Sequence, residues 1–299
     1  MVQQVPASGL SDNRPFKNLV INGDMKIAQR ATSATTAVNG SYQTLDRWRF
    51  YESTDGTYTT AQTALSLADQ ATTGGQTHAL DIHSANTWEK KVVTIPANAV
   101  IQASASAVAN DNGAGIGVAF ALALGSDFNN GTNLTWEAGG ASYSTGNQIN
   151  FMNSTSNDLF ITGVQLEVGS GASDFEHLPH EVSLERCRRY LQRIESSGTD
   201  YGSFGSGSNA NATSCIFGKQ FSPVMCKTPT LATTGTASDY STYNPNQGVD
   251  ACTSIPALNG GGATKEQCRL EFISSSNLVA GEAGECLGSN NVAAYLMYH

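Results

Sequence analysis

The chain has 299 residues, enough for two domains of ordinary size, and is only 14% charged with 30 glycines and abundant Ser, Thr, Asn and Ala. The net charge of −9 excludes a nucleic-acid binder, which needs a basic footprint to displace counterions. Apolar residues make up 39% and recur in strand-length runs, which excludes disorder, and no run reaches the roughly 18 apolar residues of a membrane span.

Residues 1–17 read as an extended arm without apolar periodicity, carrying Pro6, Gly9 and Pro15. The arm has neither the basic start nor the apolar centre of a signal peptide, so synthesis in a host cytoplasm is expected. A strand is predicted at Asn18–Ile21, followed by a type I′ turn at Asn22-Gly23-Asp24. Further strands are predicted from Leu45 to Tyr51, Trp88 to Ile95 and Ile116 to Leu124, the last an apolar run flanked by glycines. Two more follow at Gln148–Met152 and Leu159–Val168.

Glu181–Glu195 (EVSLERCRRYLQRIE) predicts a helix, with Leu184, Cys187, Leu191 and Ile194 on one apolar stripe. Glu181 and Glu185 suit its N-terminal end. Its arginines read as a solvated or intersubunit salt-bridging face, which makes Arg186, Arg189 and Arg193 intersubunit candidates. After a turn-rich stretch at Ser196–Asn211, strands are predicted at Cys215–Phe221, Pro229–Thr233, Cys268–Ile273 and Ala293–Tyr298, with a loop at Asn259–Ala263. The expected organisation is therefore all-β: an antiparallel sandwich over 18–180, a linking helix at 181–195, and a second, smaller β-sandwich over 196–299.

All six cysteines fall at Cys187 or later, at wide and irregular spacings without CxxC, and read as small buried thiols rather than disulfides or a zinc site. The five histidines are scattered, and His177/His180 lies around a Pro-His step that reads as loop. NGAGIG at Asn112–Gly117 lacks the Lys-Ser/Thr of a phosphate loop and precedes an apolar strand, not a helix. Carboxylate pairs are easily assembled by chance from 25 Asp and Glu. No catalytic residue, cofactor or metal is expected.

Several segments, taken in order, carry a resemblance: NLVINGDMKIAQR (Asn18–Arg30), YQTLDRWRF (Tyr42–Phe50), TWEKKVVTIP (Thr87–Pro96), ITGVQLEVGSGASDFEH (Ile161–His177), LERCRRYLQRI (Leu184–Ile194) and FSPVMCKTPTLATTG (Phe221–Gly235). Together they resemble bacteriophage tail-fibre proteins whose fibres end in a jelly-roll module similar to carbohydrate-binding modules. The resemblance implies a jelly-roll first domain, a homotrimer, and a non-enzymatic virion protein that touches a host-surface glycan. The short interval between Arg49 and Trp88 implies a trimmed sandwich. The short arm implies direct docking onto another virion protein. Trp48 and Phe50 are expected to alternate into the sandwich core, with Asp46 and Arg47 pairing near a sheet edge. Val164 and Leu166 are expected to point inward, with Gln165 and Glu167 facing outward or toward a neighbouring subunit.

Receptor contact is expected in the loop-rich C-terminal domain, where Tyr240 and Tyr243 lie in a turn-prone SDYSTYNPN. They are candidates to stack on sugar rings, against the alternative that they are core tyrosines. The competing functional reading is a purely architectural capsid decoration, head fibre or tail appendage. A glycan-degrading spike ranks third, because the chain lacks an internal repeat.

Overall fold

A computed structural model describes residues 16–35, 40–51, 58–84, 88–96, 117–133, 135–136, 143–148, 150–154, 156–196, 200–276, 278–290 and 292–299. The described residues form mainly antiparallel β-structure in three sheets. The chain divides into two compact units: 1–26 with 32–177, and 27–31 with 178–299. One boundary between them falls at 177/178. The short segment Ile27–Ala31, however, belongs with the second unit.

In the first unit, β1 (Ser33–Thr35), β2 (Thr59–Ala64), β3 (His78–Ser84) and β4 (Asp158–Ile161) pair in that order. A short helix at Leu67–Thr72 is capped by Ser66, whose side chain accepts from the Asp69 amide. Other segments expected as strands in this unit are irregular. Asn18–Ile21 lies beside residues 164–166, with the Leu19 amide donating to the Leu166 carbonyl at 2.9 Å. The turn at 21–24 is present and Asn22 has φ 60°, but Gly23 is not left-handed, so it is not type I′. Glycine is required there for another reason: a Cβ would sit 2.1 Å from the Val164 carbonyl oxygen.

Residues 45–51 turn at Asp46-Arg47, where Arg47 has φ 68°, instead of running as a strand. Asp46 is buried, contrary to an edge position, and its carbonyl accepts from Asn22 Nδ2. Trp48 turns its Nε1 to the Asn22 carbonyl, and Phe50 packs on Tyr58 with centroids 4.0 Å apart. Trp88–Ile95 and the described part of 116–124 run without a ladder partner among the described residues, and Val92, Val93 and Ile95 are exposed. Phe151–Asn153 is a single 3₁₀ turn within the expected 148–152 strand. Of Leu159–Val168, only the start joins β4, because Gly163 at φ 62° breaks the extended run. Asn112–Ile116 and residues 1–15 of the arm lie outside the described residues.

The second unit is more regular. β10 (Gly248–Ala251), β9 (Tyr240–Asn244), β13 (Ala283–Gly288), β6 (Ser203–Asn209), β7 (Ser214–Gln220), β12 (Gln267–Ile273) and β11 (Ala257–Leu258) form a seven-stranded sheet in that order. A three-stranded sheet joins β5 (Gln192–Glu195), β14 (Tyr295–Tyr298) and β8 (Leu231–Thr233). One core serves both sheets: Phe217, Tyr240 and Phe272 from the larger meet Leu296 and Tyr298 from the smaller. Phe272 sits at its centre, edge-on to Tyr240 at 5.8 Å and tilted against Phe204 and Phe217. β12 shows why its sequence makes this strand: QCRLEFI buries Cys268, Leu270 and Phe272 and turns Gln267, Arg269 and Glu271 outward.

The predicted 181–195 helix is two elements. The helix runs His180–Arg188, and Gln192–Glu195 is β5, paired antiparallel to β14 with Ile194 opposite Leu296. Four residues of mixed polarity satisfy a helical stripe and a strand equally well, and the open edge of β14 decides between them. The turn-rich 196–211 stretch likewise contains β6, whose alternating Ser and Gly hid a strand that only its partners define. Five cysteines are buried, Cys226 is half-buried, and all six are free thiols.

Candidate functional site

Most residues that carried the sequence expectations prove to be committed inside their own unit. Tyr240 is fully buried; its hydroxyl donates to the Tyr295 carbonyl at 2.6 Å and accepts from the Thr234 amide at 3.0 Å. It cannot offer its ring to a sugar, which corrects its assignment as a receptor residue. The physical cause is that the turn-prone segment is strand β9 as far as Asn244, and only Asn244–Gln247 turns. Tyr243 is half-buried on the same strand, opposite Val249 and Glu285.

Arg193 is engaged within its own unit. Its guanidinium donates to the carbonyls of Gln29 and Arg30 and to Glu195, and lies over the Tyr295 ring at 4.4 Å. It thus holds segment 27–31 to β5. Arg186 is half-buried and Arg189 exposed, at the C-terminal end of the helix where cations suit the dipole.

Gln165 and Glu167 are used locally as well. Gln165 Oε1 accepts from the Glu176 amide, and the Glu167 carboxylate accepts from the Ser173 amide and hydroxyl, both at 2.6 Å. Those two bonds, from the Ser173 hydroxyl first, hold the Glu167 carboxyl below its ordinary value. Glu176 accepts from the amides of Lys17 and Asn18, and Asn18 donates to the Val164 carbonyl. Residues 17–26 and 161–177 therefore form one polar joint within the first unit.

An exposed constellation remains on the outer face of β7 and β12. The antiparallel register sets Gln220 opposite Gln267 and Gly218 opposite Arg269. A Cβ at Gly218 would meet nothing within 4 Å, so the floor between these side chains is open. Gly218, Lys219, Gln220, Gly262, Gln267, Cys268 and Arg269 line a concavity of about 700 Å³.

One side of it is braced. Ser214 Oγ donates to Glu271 Oε1, Asn259 Nδ2 donates to Glu271 Oε2 at 2.8 Å, and Arg269 Nη2 donates to Asn259 Oδ1 at 2.9 Å. This chain fixes the guanidinium through Nη2, on a residue that lines the concavity. Burial in front of Lys219 raises the Cys268 thiol to about 11, the ammonium opposing the shift, so the thiol stays protonated. Two amides and a guanidinium over a glycine floor supply more donors than acceptors; Lys219, opposite the inward-facing Cys268, leaves from the other face. Such a lining suits hydroxyl and carboxylate groups.

Sequence reasoning passed over these residues because GKQ and QCR lie about fifty positions apart, and only the strand register joins them. The alternation of QCRLEFI is the signal that could have marked Gln267 and Arg269 as surface residues. Comparison with known proteins finds no matching family model, no similar curated protein and no similar solved structure.

Proposed function

We propose that this protein is a non-enzymatic virion structural protein of the tail-fibre class, a homotrimer that attaches to a host-surface glycan. In this reading the first unit is a trimmed jelly roll, the second a small β-sandwich, and the 1–17 arm docks onto another virion protein. The observation that carries the receptor role is the β7–β12 shelf, with the braced Arg269 beside the open position at Gly218. Donor-rich, shallow sites bind single sugars weakly, and a trimer multiplies such contacts. In this reading the receptor surface moves from Tyr240 to Gln220, Gln267 and Arg269.

The architectural alternative, a capsid decoration, head fibre or tail appendage, is favoured by one observation: the shelf has no aromatic lining residue, and Tyr240 is buried. The test uses the purified full chain on an array of bacterial lipopolysaccharide and capsule oligosaccharides, with light scattering for the oligomer. The expected result is a trimer mass and glycan binding that falls at least tenfold in Arg269→Ala, with unchanged circular dichroism. Absence of binding, together with normal adsorption of particles lacking the protein, would overturn the receptor role in favour of the architectural one.

A further inference from the structure

β7 and β13 are not adjacent; β6 lies between them in the sheet. β6 reads SFGSGSN, and its glycines let β7 lie close over it. A Cβ at Gly207 would fall 1.9 Å from the Ile216 carbonyl oxygen, and one at Gly205 would fall 2.6 Å from the Phe217 ring. The sheet can therefore curl sharply at β6 and turn the inner faces of β7 and β13 toward one another.

Gly284 on β13 completes the approach, since a Cβ there would meet Cys215 Sγ at 2.7 Å. The cleared space is filled by a sulfur–sulfur contact. Cys215 and Cys286, 71 positions apart, are fully buried with their Sγ atoms 3.6 Å apart. A disulfide needs these sulfurs about 2.0 Å apart, so they must close on one another for the bond to form.

We propose that Cys215 and Cys286 are a latent disulfide, closed by a peroxide once the protein leaves a reducing compartment, and that the bond locks the curl of the seven-stranded sheet. Burial excludes bulky disulfide oxidants and favours one the size of hydrogen peroxide. The Cys215 thiolate attacks a peroxide oxygen, the O–O bond breaks, and hydroxide leaves to give a sulfenic acid. The Cys286 sulfur then attacks the Cys215 sulfur, forming S–S and expelling the oxygen as water. Two thiols and one peroxide become one disulfide and two waters. The geometry assigns the order: Cys286 donates its S–H to Cys215, which lowers the Cys215 thiol and, with burial, raises that of Cys286.

The experiment treats the purified full chain with hydrogen peroxide, then denatures, alkylates and maps it by mass spectrometry. The expected result is loss of two hydrogens, one linked peptide joining Cys215 to Cys286, and a melting temperature raised by on the order of 10 °C and restored by a phosphine reductant. Cys286→Ser removes the linked peptide, and the wild-type map decides the matter if that variant fails to fold. Six alkylated thiols across the titration, a link between any other pair, or oxidation of Cys215 to sulfinic acid without a link would overturn the proposal.

Discussion

Arg193 on β5 and Tyr295 on β14 are diagonal neighbours across an antiparallel pair, with the guanidinium carbon 4.4 Å from the ring centroid. The same guanidinium holds the carbonyls of Gln29 and Arg30, so one side chain orders a strand pair and a distant segment together. Arg193→Ala is expected to destabilise the second unit by about 2–3 kcal/mol, measured by urea unfolding. Arg193→Lys is expected to recover less than half of this, because an ammonium cannot reproduce the planar fork.

Gly23 is expected to tolerate no side chain. Gly23→Ala places a methyl against the Val164 carbonyl oxygen and pulls apart the bond from the Val164 amide to the Gly23 carbonyl, 2.9 Å long. The expected cost is about 2–3 kcal/mol, with faster hydrogen exchange at the Val164 amide. Wild-type exchange there would show that the joint bears no strain.

Tyr240→Phe separates a structural from a receptor role. Loss of the hydroxyl leaves the Tyr295 carbonyl and the Thr234 amide without this partner, and is expected to cost about 1–2 kcal/mol in thermal unfolding. Glycan binding by the folded variant is expected to match wild type. Selective loss of binding at unchanged stability would return Tyr240 to the receptor surface.

The Glu167 carboxyl gives a pH signature. Its value in the folded chain lies below the ordinary 4.5, so the contribution is present above the unfolded value and is lost as pH falls through the folded one. An NMR titration of the Glu167 side chain is expected to show this depression. Ser173→Ala is expected to move the midpoint back upward, because the hydroxyl bond is the largest cause; no movement would assign the depression elsewhere.

The sequence by itself determined the all-β character, the cysteine-bearing second unit and the strands with clear two-residue alternation, such as β7, β12 and β14. Those patterns are local, since a strand with one buried face writes its period directly into the chain. Only the tertiary structure decided where the helix gives way to β5, because Gln192–Glu195 fits either period until the β14 edge is in place. The glycines of β6 carried no strand signal, as their use lies in what a missing Cβ allows β7 to do. Tyr240 and Arg193 read as surface candidates because burial of a polar aromatic or a cation depends on distant acceptors, here Tyr295, Gln29 and Arg30. The β7–β12 shelf and the Cys215–Cys286 contact were invisible for the same reason: each joins residues separated by about fifty positions or more, and register and sheet curl, not sequence spacing, bring them together.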